Sequence, residues 1–426
     1  MIGERKNVFK LDKILVLLYI LLTGFGWGNI FSSSLSGNFE SIFNLNELYG
    51  KQIIFILLST ILIIVTLSIE AKFYERFASI FYIISITSLI GLFIFGKTIN
   101  GSTSWYAIGE FTIQPAEFAK VATSLAVAKF VSDLQTNVKL FNYQIKLLII
   151  IFLPAILIIL QNDTGSTLVY LAFFFVLLRE GIPTVYLYII IVLFLLFVFT
   201  IKFSLLITSL ISFLILLISY LKKEKKGNSL LKHMGFLIFS IIFSYSVNYL
   251  YNNVIKEHQK NRISLWLKLE NNQYEIEKMK KTILYNLNES EKAISSGGWL
   301  GKGYLEGTRT IGKFVPEQQT DYIFSTVGEE WGFIGSSFII LLFILLLLRI
   351  IHLSELQKNQ FSRVYGYSVA SILFLHFLIN IGMVMGLVPT IGIPLPFFSY
   401  GGSSLWAFTI LLFIFIKLDS NKLNEW

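Results

Sequence analysis

The stretch WGFIGSSFIILLFILLLLRI, residues 331–350, decides the class of this fold. It carries no charge before Arg349, and ~20 residues in a helix rise about 30 Å, which matches the hydrocarbon core of a bilayer. The whole chain is 55% hydrophobic and 14% charged, whereas soluble domains carry about 25% charged residues. Segments that span a membrane must satisfy their own backbone hydrogen bonds, so the sequence predicts an all-α polytopic membrane protein.

Apolar runs of similar length recur along the chain. We predict about twelve spans, at 14–32, 52–70, 76–96, 117–133, 145–161, 165–180, 183–201, 203–221, 234–252, 331–350, 364–387 and 401–418. Lysine and arginine gather at 1–13, 70–76 and 222–232, which the positive-inside rule places in the cytoplasm. Both termini are then cytoplasmic, and the longest loop, 253–330, faces outward ahead of the last three spans.

This loop pattern and the composition limit the possible functions. The chain divides into an N-terminal membrane region (1–252), an extracytoplasmic loop (253–330) and a C-terminal membrane region (331–426). The net charge of +9 is explained by cytoplasmic lysine and does not indicate nucleic-acid binding. There are no cysteines, which excludes disulfides and thiol catalysis, and the four histidines are too far apart in sequence to indicate a metal site.

The segment before the opening stretch is the main exception to the apolar pattern. Gly297–Trp331 reads GGWLGKGYLEGTRTIGKFVPEQQTDYIFSTVGEEW and concentrates glycines, cations and carboxylates. Glycine lets a backbone approach a ligand closely, so Lys302 and Arg309 are candidates for phosphate contacts. Asp321 is either the cap of the following helix or a general base at the membrane surface. Of the adjacent pair Glu329–Glu330, at least one is interpreted as structural.

Two motifs nearer the N-terminus add polar groups. In GSTSWYAIGEFTIQPAEFAK, residues 101–120, Glu117 and Lys120 lie three apart on one helix face. They form either an internal ion pair that orients the helix or part of a substrate path, since ionisable residues within membranes are usually functional. In QNDTGST, Asp163 either caps the next helix or binds a cation or a sugar hydroxyl. Arg262 closes the stretch HQKNRI directly after a span and is a further candidate.

A second irregular segment precedes the last span. NIGMVMGLVPTIGIPLPFFSYGGSSL, residues 380–405, contains three prolines that exclude a continuous helix. Irregular backbone at membrane depth is tolerated where it is buried or lines a cavity. Ser399 and Ser403 flank a glycine pair and are candidate ligand contacts. Neither is accompanied by histidine and aspartate in a recognisable triad signature, so serine nucleophilic catalysis is not indicated.

Together these pieces resemble the SEDS family (shape, elongation, division and sporulation), which includes RodA, FtsW and SpoVE. The matching stretches are GSTSWYAIGEFTIQPAEFAK, QNDTGSTL, SSGGWLGKGYLEGT, FVPEQQTDYIFSTVGEEWGFIG and NIGMVMGLVPTIGIPLPFFSYGGSS, in family order. Within the family the chain looks most like RodA, through YLEGTRTIGKFVPEQQTDYIFSTVGEE and HQKNRI. The resemblance implies a SEDS-type helical bundle, a ten-helix core to which this chain adds two spans within 183–252.

The resemblance also implies a function. It implies a peptidoglycan glycosyltransferase that polymerises lipid II at the outer face of the cytoplasmic membrane, for cell-wall elongation and rod shape. The implied partners are lipid II, a class B penicillin-binding transpeptidase and membrane lipids, with no nucleic acid. Two alternatives stay open: a lipid II flippase or other transporter of the same family, and a scaffold that only activates a partner enzyme.

Family residues carry over where the motifs match. The essential aspartate of the family falls on Asp321, and the glutamate that precedes it in the motif falls on Glu317. The carboxylate and lysine of the QPxEFAK piece fall on Glu117 and Lys120. The aspartate of the family's QPDxG piece falls on Asp163. These five side chains are the site residues that the resemblance implies.

Three positions depart from the family pattern. Gln319 stands where a histidine is usual, so a histidine relay to Asp321 is not expected. Asn162 replaces the proline before Asp163, which loosens that turn. Glu289 stands where the family usually has glutamine.

Polymerisation of lipid II displaces a lipid pyrophosphate from the anomeric carbon of one sugar by a hydroxyl of another. Asp321 is the candidate base, although an ordinary aspartate with a pKa of about 4 needs partial burial for this role. Positive charge must meet the developing pyrophosphate, and the candidates are Lys120, Arg262, Lys302 and Arg309. A divalent cation, Mg²⁺ or Mn²⁺, is a candidate to share that role, with unknown ligands.

Overall fold

The computed structural model describes residues 11–35, 41–99, 101–109, 111–133, 137–222, 230–255, 257–267, 269 and 285–422. The helices are α1 (Lys13–Ser34), α2 (Leu48–Ser68), α3 (Ala71–Phe95), α4 (Pro115–Ser132), α5 (Phe141–Leu160), α6 (Thr164–Val169), α7 (Ala172–Arg179), α8 (Val185–Lys222), α9 (Leu230–Asn253), α10 (Glu257–Trp266), α11 (Tyr285–Gly297), α12 (Thr308–Ile311), α13 (Ile323–Glu355), α14 (Gln360–Val384) and α15 (Gly402–Asn421). The strands are β1 (Lys97–Ile99), β2 (Ser102–Ile108) and β3 (Phe111–Ile113).

Within the described residues, nine helices are long and apolar enough to cross a membrane, which confirms the helical membrane architecture. They are α1, α2, α3, α5, α8, α9, α13, α14 and α15. Helix α4 has 18 residues but is less apolar, because it contains Glu117, Lys120 and Lys129. The number of membrane crossings stays a prediction.

Two predicted segments differ in detail from the observed helices. The predicted span 165–180 consists of two short helices, α6 and α7, separated at Tyr170–Leu171. The predicted spans 183–201 and 203–221 merge into α8, which begins two residues later, at Val185, and is interrupted at Ser204, where φ is 74° and ψ is 162°. Much of the basic segments 1–13 and 222–232, and residues 270–284 of the long loop, lie outside the described residues.

A small antiparallel sheet, which the sequence analysis did not predict, precedes α4. Its strands lie in the order β1-β2-β3, with Lys97 opposite Trp105 and Tyr106 opposite Ile113. Gln161 anchors the sheet, because its backbone carbonyl accepts hydrogen bonds from Ser102 Oγ at 2.9 Å and Thr103 N at 3.0 Å. The sheet therefore fixes the start of α4 beside the turn that follows α5.

Helices α4, α14 and α15 form the buried centre of the first of two compact units, which comprises residues 1–182 and 286–426. Helix α4 buries 14 of its 18 residues and packs against α3, α14 and α15. Most of α14 and α15 is also buried, whereas α2 and α3 expose apolar faces. Polar side chains in this centre must therefore find partners within the protein.

The second unit comprises residues 183–285. Its described helices are α8, α9 and α10, and α8 packs against α9. Their other faces expose many apolar side chains, which suits contact with lipid. This unit contains the segment in which the two additional spans were predicted. The predicted three-part division of the chain, with boundaries at 252 and 330, stays a prediction.

Candidate active site

The segment between α14 and α15 is irregular, as its prolines predicted. Residues 385–401 contain no regular helix or strand, and the apolar side chains from Ile393 to Phe398 are buried or half-buried. Gly386, Gly392, Phe397 and Gly401 have positive φ angles of 71°, 80°, 63° and 151°. Buried non-helical backbone of this kind needs side chains that satisfy its N–H and C=O groups. Several candidate site residues lie close to this segment.

Asp321 lies against this segment. Asn380 Nδ2 donates to the backbone carbonyl of Asp321 at 2.9 Å and to that of Ile393 at 2.7 Å. A Cβ atom on Gly392 would lie 3.1 Å from Asp321 Oδ2, so glycine leaves room for the carboxylate. The cap position of α13 is occupied by Tyr322, so the interpretation of Asp321 as the helix cap is wrong. The side chain of Asp321 is partly exposed.

Glu117 and Lys120 form the ion pair that their spacing predicted. Lys120 Nζ lies 2.7 Å from Glu117 Oε1, and both side chains are 2% exposed. The sequence analysis missed the third member, His376 of α14, whose Nε2 lies 2.9 Å from Lys120 Nζ. Phe408 packs edge-on against His376 and faces Lys120 at 5.3 Å. Lys120 is therefore paired and buried, so the structure gives it no direct contact with a substrate, and it can act on one only through the residues that it binds.

Asp163 caps α6, which confirms one of its two interpretations. Its carboxylate accepts from Ser166 N and Ser166 Oγ, both at 2.9 Å, and from Gln114 Nε2 at 2.8 Å. The cap lies beside the irregular segment, because a Cβ on Gly165 would lie 2.9 Å from the carbonyl oxygen of Gly392. Asp163 thus joins the end of the sheet to the segment that Asp321 contacts.

Ser399 and Ser403 are buried and bind backbone. Ser399 Oγ accepts from Leu395 N at 2.8 Å. Ser403 Oγ accepts from Gln114 N at 3.1 Å and donates to the carbonyl of Thr112 at 3.1 Å. These contacts hold the irregular segment and the start of α4 together. A role of either serine in substrate binding stays a prediction.

The glycine-rich stretch after α11 docks onto a kink in α13. The kink lies at Gly332, where φ is 63° and ψ is −157°. Lys302 N donates to the carbonyl of Glu329 at 3.0 Å, and Phe333 N donates to that of Gly298 at 2.9 Å. A Cβ on Gly301 would lie 2.1 Å from the carbonyl oxygen of Glu330. Glycine is needed here because the two backbones touch.

Glu329 organises the cations next to this loop. Its side chain is fully buried and lies 2.6 Å from Lys302 Nζ. It also accepts from the backbone N–H groups of Arg309 and Thr310, both at 2.9 Å, and from Thr310 Oγ1 at 2.9 Å. The carboxylate thereby holds the first turn of α12 against α13. Lys302 is 26% exposed, so it keeps one side open to solvent.

Arg309 pairs with Glu289, the residue that stands in place of the usual glutamine. Glu289 also lies 2.7 Å from Lys292 Nζ, and it is 8% exposed against 29% for Arg309. Glu317 lies apart from this group in an exposed turn with a φ of 53°. Its Oε2 accepts from Thr320 Oγ1 at 3.2 Å.

Two glutamines bind the turn before Asp321 to its surroundings. Gln318 Nε2 donates to Thr310 Oγ1 at 3.0 Å and to Thr326 Oγ1 at 2.8 Å. Gln319 Nε2 donates to the carbonyl of Ser33 at 2.9 Å, and its own carbonyl accepts from Tyr400 N at 2.9 Å. Gln319, which replaces a histidine, therefore works as a bridge between α1 and the irregular segment.

Tyr304 ties the same loop to α1. Its hydroxyl donates to the carbonyl of Gly28 at 3.1 Å, and its ring packs against Trp331. Burial, and then the charge of Glu330, raise the pKa of Tyr304, so the hydroxyl stays a donor at neutral pH. Ser32 Oγ donates to Glu330, which adds a second contact between α1 and α13.

The remaining candidate, Arg262, lies in α10 of the second unit. Its predicted role in substrate binding stays a prediction. In the part of the chain that the structure describes, no three His, Asp or Glu side chains are grouped so that they could hold a metal ion. Both oxygens of Asp163 are already occupied by protein donors.

Sequence reasoning missed His376 and Asn380, and one signal could have identified them. They are polar residues four apart in the predicted span 364–387, so they lie on one face of an otherwise apolar helix. Gln114 was read only as the residue before a proline, although its side chain binds Asp163.

Comparisons with known proteins agree with this architecture. Residues 12–424 match the FtsW, RodA and SpoVE family model, described as a cell cycle protein family. The chain is 30% identical over 447 residues to the peptidoglycan glycosyltransferase RodA of Treponema pallidum, covering 98% of this chain and 99% of that one. It is 30% identical over 351 residues to the peptidoglycan glycosyltransferase MrdB of Escherichia coli K12, covering 82% and 80%.

Solved structures share the fold. A chain of a peptidoglycan synthase complex that coordinates polymerization and crosslinking matches with a TM-score of 0.72 at 21% identity, over 98% of this chain and 99% of that chain. The rod shape determining protein RodA of Thermus thermophilus matches with a TM-score of 0.62 at 21% identity, over 98% and 99%. With matching motifs, matching length and a shared helical bundle, this integral membrane protein belongs to the FtsW/RodA/SpoVE family.

Proposed function

We propose that this protein is a peptidoglycan glycosyltransferase that polymerises lipid II at the outer face of the cytoplasmic membrane, for cell-wall elongation and rod shape. The two relatives that match over 98% and 82% of the chain carry that activity in their names. One structural observation carries the proposal for this chain. Asp321 presents a partly exposed carboxylate beside Gly392, while its backbone is fixed by Asn380.

Asp321 is proposed as the general base. The hydroxyl of one lipid-linked sugar attacks the anomeric carbon of another, the bond from that carbon to the pyrophosphate oxygen breaks, and the carboxylate takes the hydroxyl proton. A base must be held at a fixed distance from the proton that it removes. The hydrogen bond from Asn380 holds the main chain of Asp321, and the missing side chain of Gly392 leaves room beside its carboxylate.

Lys302 and Arg309 are proposed to meet the charge of the leaving pyrophosphate. More than a quarter of each side chain is exposed. Lys302 is paired with the buried Glu329, and Arg309 is paired with the buried Glu289. Cations fixed in this way need little reorganisation when negative charge develops. Lys120, Asp163 and the two serines are proposed to support the site, because their polar atoms are bound to protein groups.

A divalent cation, Mg²⁺ or Mn²⁺, is proposed to arrive with the pyrophosphate of the substrate. The described residues hold no cluster of three metal-binding side chains, and Mg²⁺ is often bound by one or two carboxylates together with substrate phosphates. Such an ion would add positive charge at the leaving group. The amount of polymer formed with and without a chelator tests this part of the proposal.

The proposed partner is a class B penicillin-binding transpeptidase. The similar chain in a peptidoglycan synthase complex supports this, since that complex coordinates polymerization and crosslinking. The predicted orientation, with both termini in the cytoplasm, would put the loop 253–330 on the same side of the membrane as the cell wall.

A single reconstitution separates the glycosyltransferase from the alternatives. Purified protein is mixed with lipid II, with and without the transpeptidase, and the glycan strands are resolved on a gel. Polymer is the expected result. A protein that moves labelled lipid II across the bilayer but makes no polymer is a flippase, and one that only increases the output of an added polymerase is a scaffold.

A further inference from the structure

Two buried polar side chains of α14 hold consecutive carbonyls of the irregular segment. His376 and Asn380 are four residues apart and fully buried, so they stand one above the other on one face of the helix. His376 Nδ1 lies 3.2 Å from the carbonyl oxygen of Pro394, and Asn380 Nδ2 lies 2.7 Å from that of Ile393. The same Asn380 nitrogen donates to the carbonyl of Asp321.

The contacts of His376 fix its protonation. The Lys120 ammonium has only donors, so His376 Nε2 must accept from it at 2.9 Å. The carbonyl of Pro394 only accepts, so the ring proton must lie on Nδ1. Both contacts require the same neutral tautomer. A histidine with both nitrogens bound in this way has one orientation, and the Phe408 ring, in a T-shaped contact with the imidazole, helps to hold it there.

These contacts form a continuous path from the buried ion pair to the candidate base. Glu117 holds Lys120 at 2.7 Å, and Lys120 orients His376. His376 then holds Pro394, two residues after the glycine that lies against the Asp321 carboxylate. A shift of Pro394 would therefore move the wall against which that carboxylate rests.

We propose that His376 is a positioning residue for the glycosyl transfer, which sets the place of the 392–394 backbone against Asp321 by donating to the carbonyl of Pro394. This rests on the proposed function. Lys120 acts on the reaction through His376 by keeping Nδ1 the protonated nitrogen. The ion pair of α4 is thus part of the frame that locates the base.

Three substitutions separate the two contacts of the ring. His376→Asn places an amide N–H near the position of Nδ1 and keeps the donor to Pro394. His376→Gln reaches the position of Nε2 and keeps an acceptor for Lys120. His376→Phe removes both. Ser368→Ala is the matched control, since this buried α14 side chain binds only a carbonyl of its own helix.

The kinetics of polymer formation with purified protein give the first measurement. We expect His376→Phe and His376→Gln to lower kcat at least about tenfold, with KM within about twofold, because one hydrogen bond that orients the base is lost. His376→Asn is expected to stay within about threefold of wild type. The proposal would be overturned if His376→Phe kept the wild-type kcat, or if His376→Gln and His376→Asn had the same kcat. It would also be overturned if the loss of kcat only followed the loss of folded protein.

Amide hydrogen exchange gives a second measurement that does not need activity. In His376→Phe, exchange is expected to rise in peptides covering 388–401 and 319–324, and to stay unchanged in Ser368→Ala. Unchanged exchange in both peptides would overturn the inference. If wild-type protein makes no polymer, the proposed function fails, and the exchange result still decides whether His376 holds this backbone.

Discussion

Glu329→Ala is expected to release the first turn of α12 from α13. The carboxylate accepts from Lys302 Nζ at 2.6 Å and from the backbone N–H groups of Arg309 and Thr310 at 2.9 Å. Alanine leaves those two N–H groups without an acceptor, at about 1–3 kcal/mol for each buried donor. Lys302 is partly exposed and can turn to water, so its lost pairing adds little. The expected cost is about 3–5 kcal/mol.

Amide hydrogen exchange in detergent or nanodiscs measures this cost locally. A loss of about 3 kcal/mol corresponds to a roughly hundredfold rise in exchange at Arg309 and Thr310. Glu329→Gln keeps one acceptor oxygen and is expected to lose less than half as much. Ser354→Ala is the matched control, since this buried α13 side chain binds only a carbonyl of its own helix.

Two results would show that Glu329 does not hold the loop through its hydrogen bonds. If Glu329→Ala exchanges at the wild-type rate in residues 298–311, the carboxylate does not hold the loop. If Ser354→Ala raises exchange in the loop as much as Glu329→Ala does, the rise does not come from the hydrogen bonds that Glu329 accepts.

Two further predictions concern packing and pH. Gly301→Ala is expected to displace the glycine loop, because its Cβ would lie 2.1 Å from the Glu330 carbonyl, and limited proteolysis between 298 and 322 should speed up. Burial raises the pKa of Asp12, but hydrogen bonds from Arg349 and from Leu15 N outweigh it, so the net pKa is lowered. The resulting stability, about 1–2 kcal/mol, is complete above the unfolded pKa of about 4 and is lost as the pH falls through the lower folded pKa. The Tm of Asp12→Asn should therefore fall less steeply than the Tm of the wild-type protein as the pH is lowered from about 5 to about 3.

The sequence predicted those features that depend on neighbours along the chain. Apolar run length identified the long apolar helices, although not the number of crossings, and a spacing of three identified the Glu117–Lys120 pair. Local chemistry also identified Asp163 as a possible cap, which it is. Proline content identified the irregular segment before α15.

The remaining features depend on contacts between distant segments. His376 meets Lys120 across 256 positions, and no local pattern connects them. Glu329 was assigned no more than a structural role, and its five hydrogen-bond donors come from a loop about 20 residues earlier. The β-sheet was missed because its strands are short and are fixed by docking onto Gln161.

Polymer formation by Asp321→Asn tests whether Asp321 is the general base. Asparagine keeps the shape of the side chain and leaves the backbone contact with Asn380 in place, while it removes the carboxylate that would take the proton. With purified protein, lipid II and a glycan gel, we predict that the rate falls by about 100- to 10,000-fold. Ser368→Ala serves as the comparison and is expected to keep a rate close to wild type, because this buried side chain binds only a carbonyl of its own helix. Polymer formation by Asp321→Asn at the wild-type rate would show that Asp321 is not the general base.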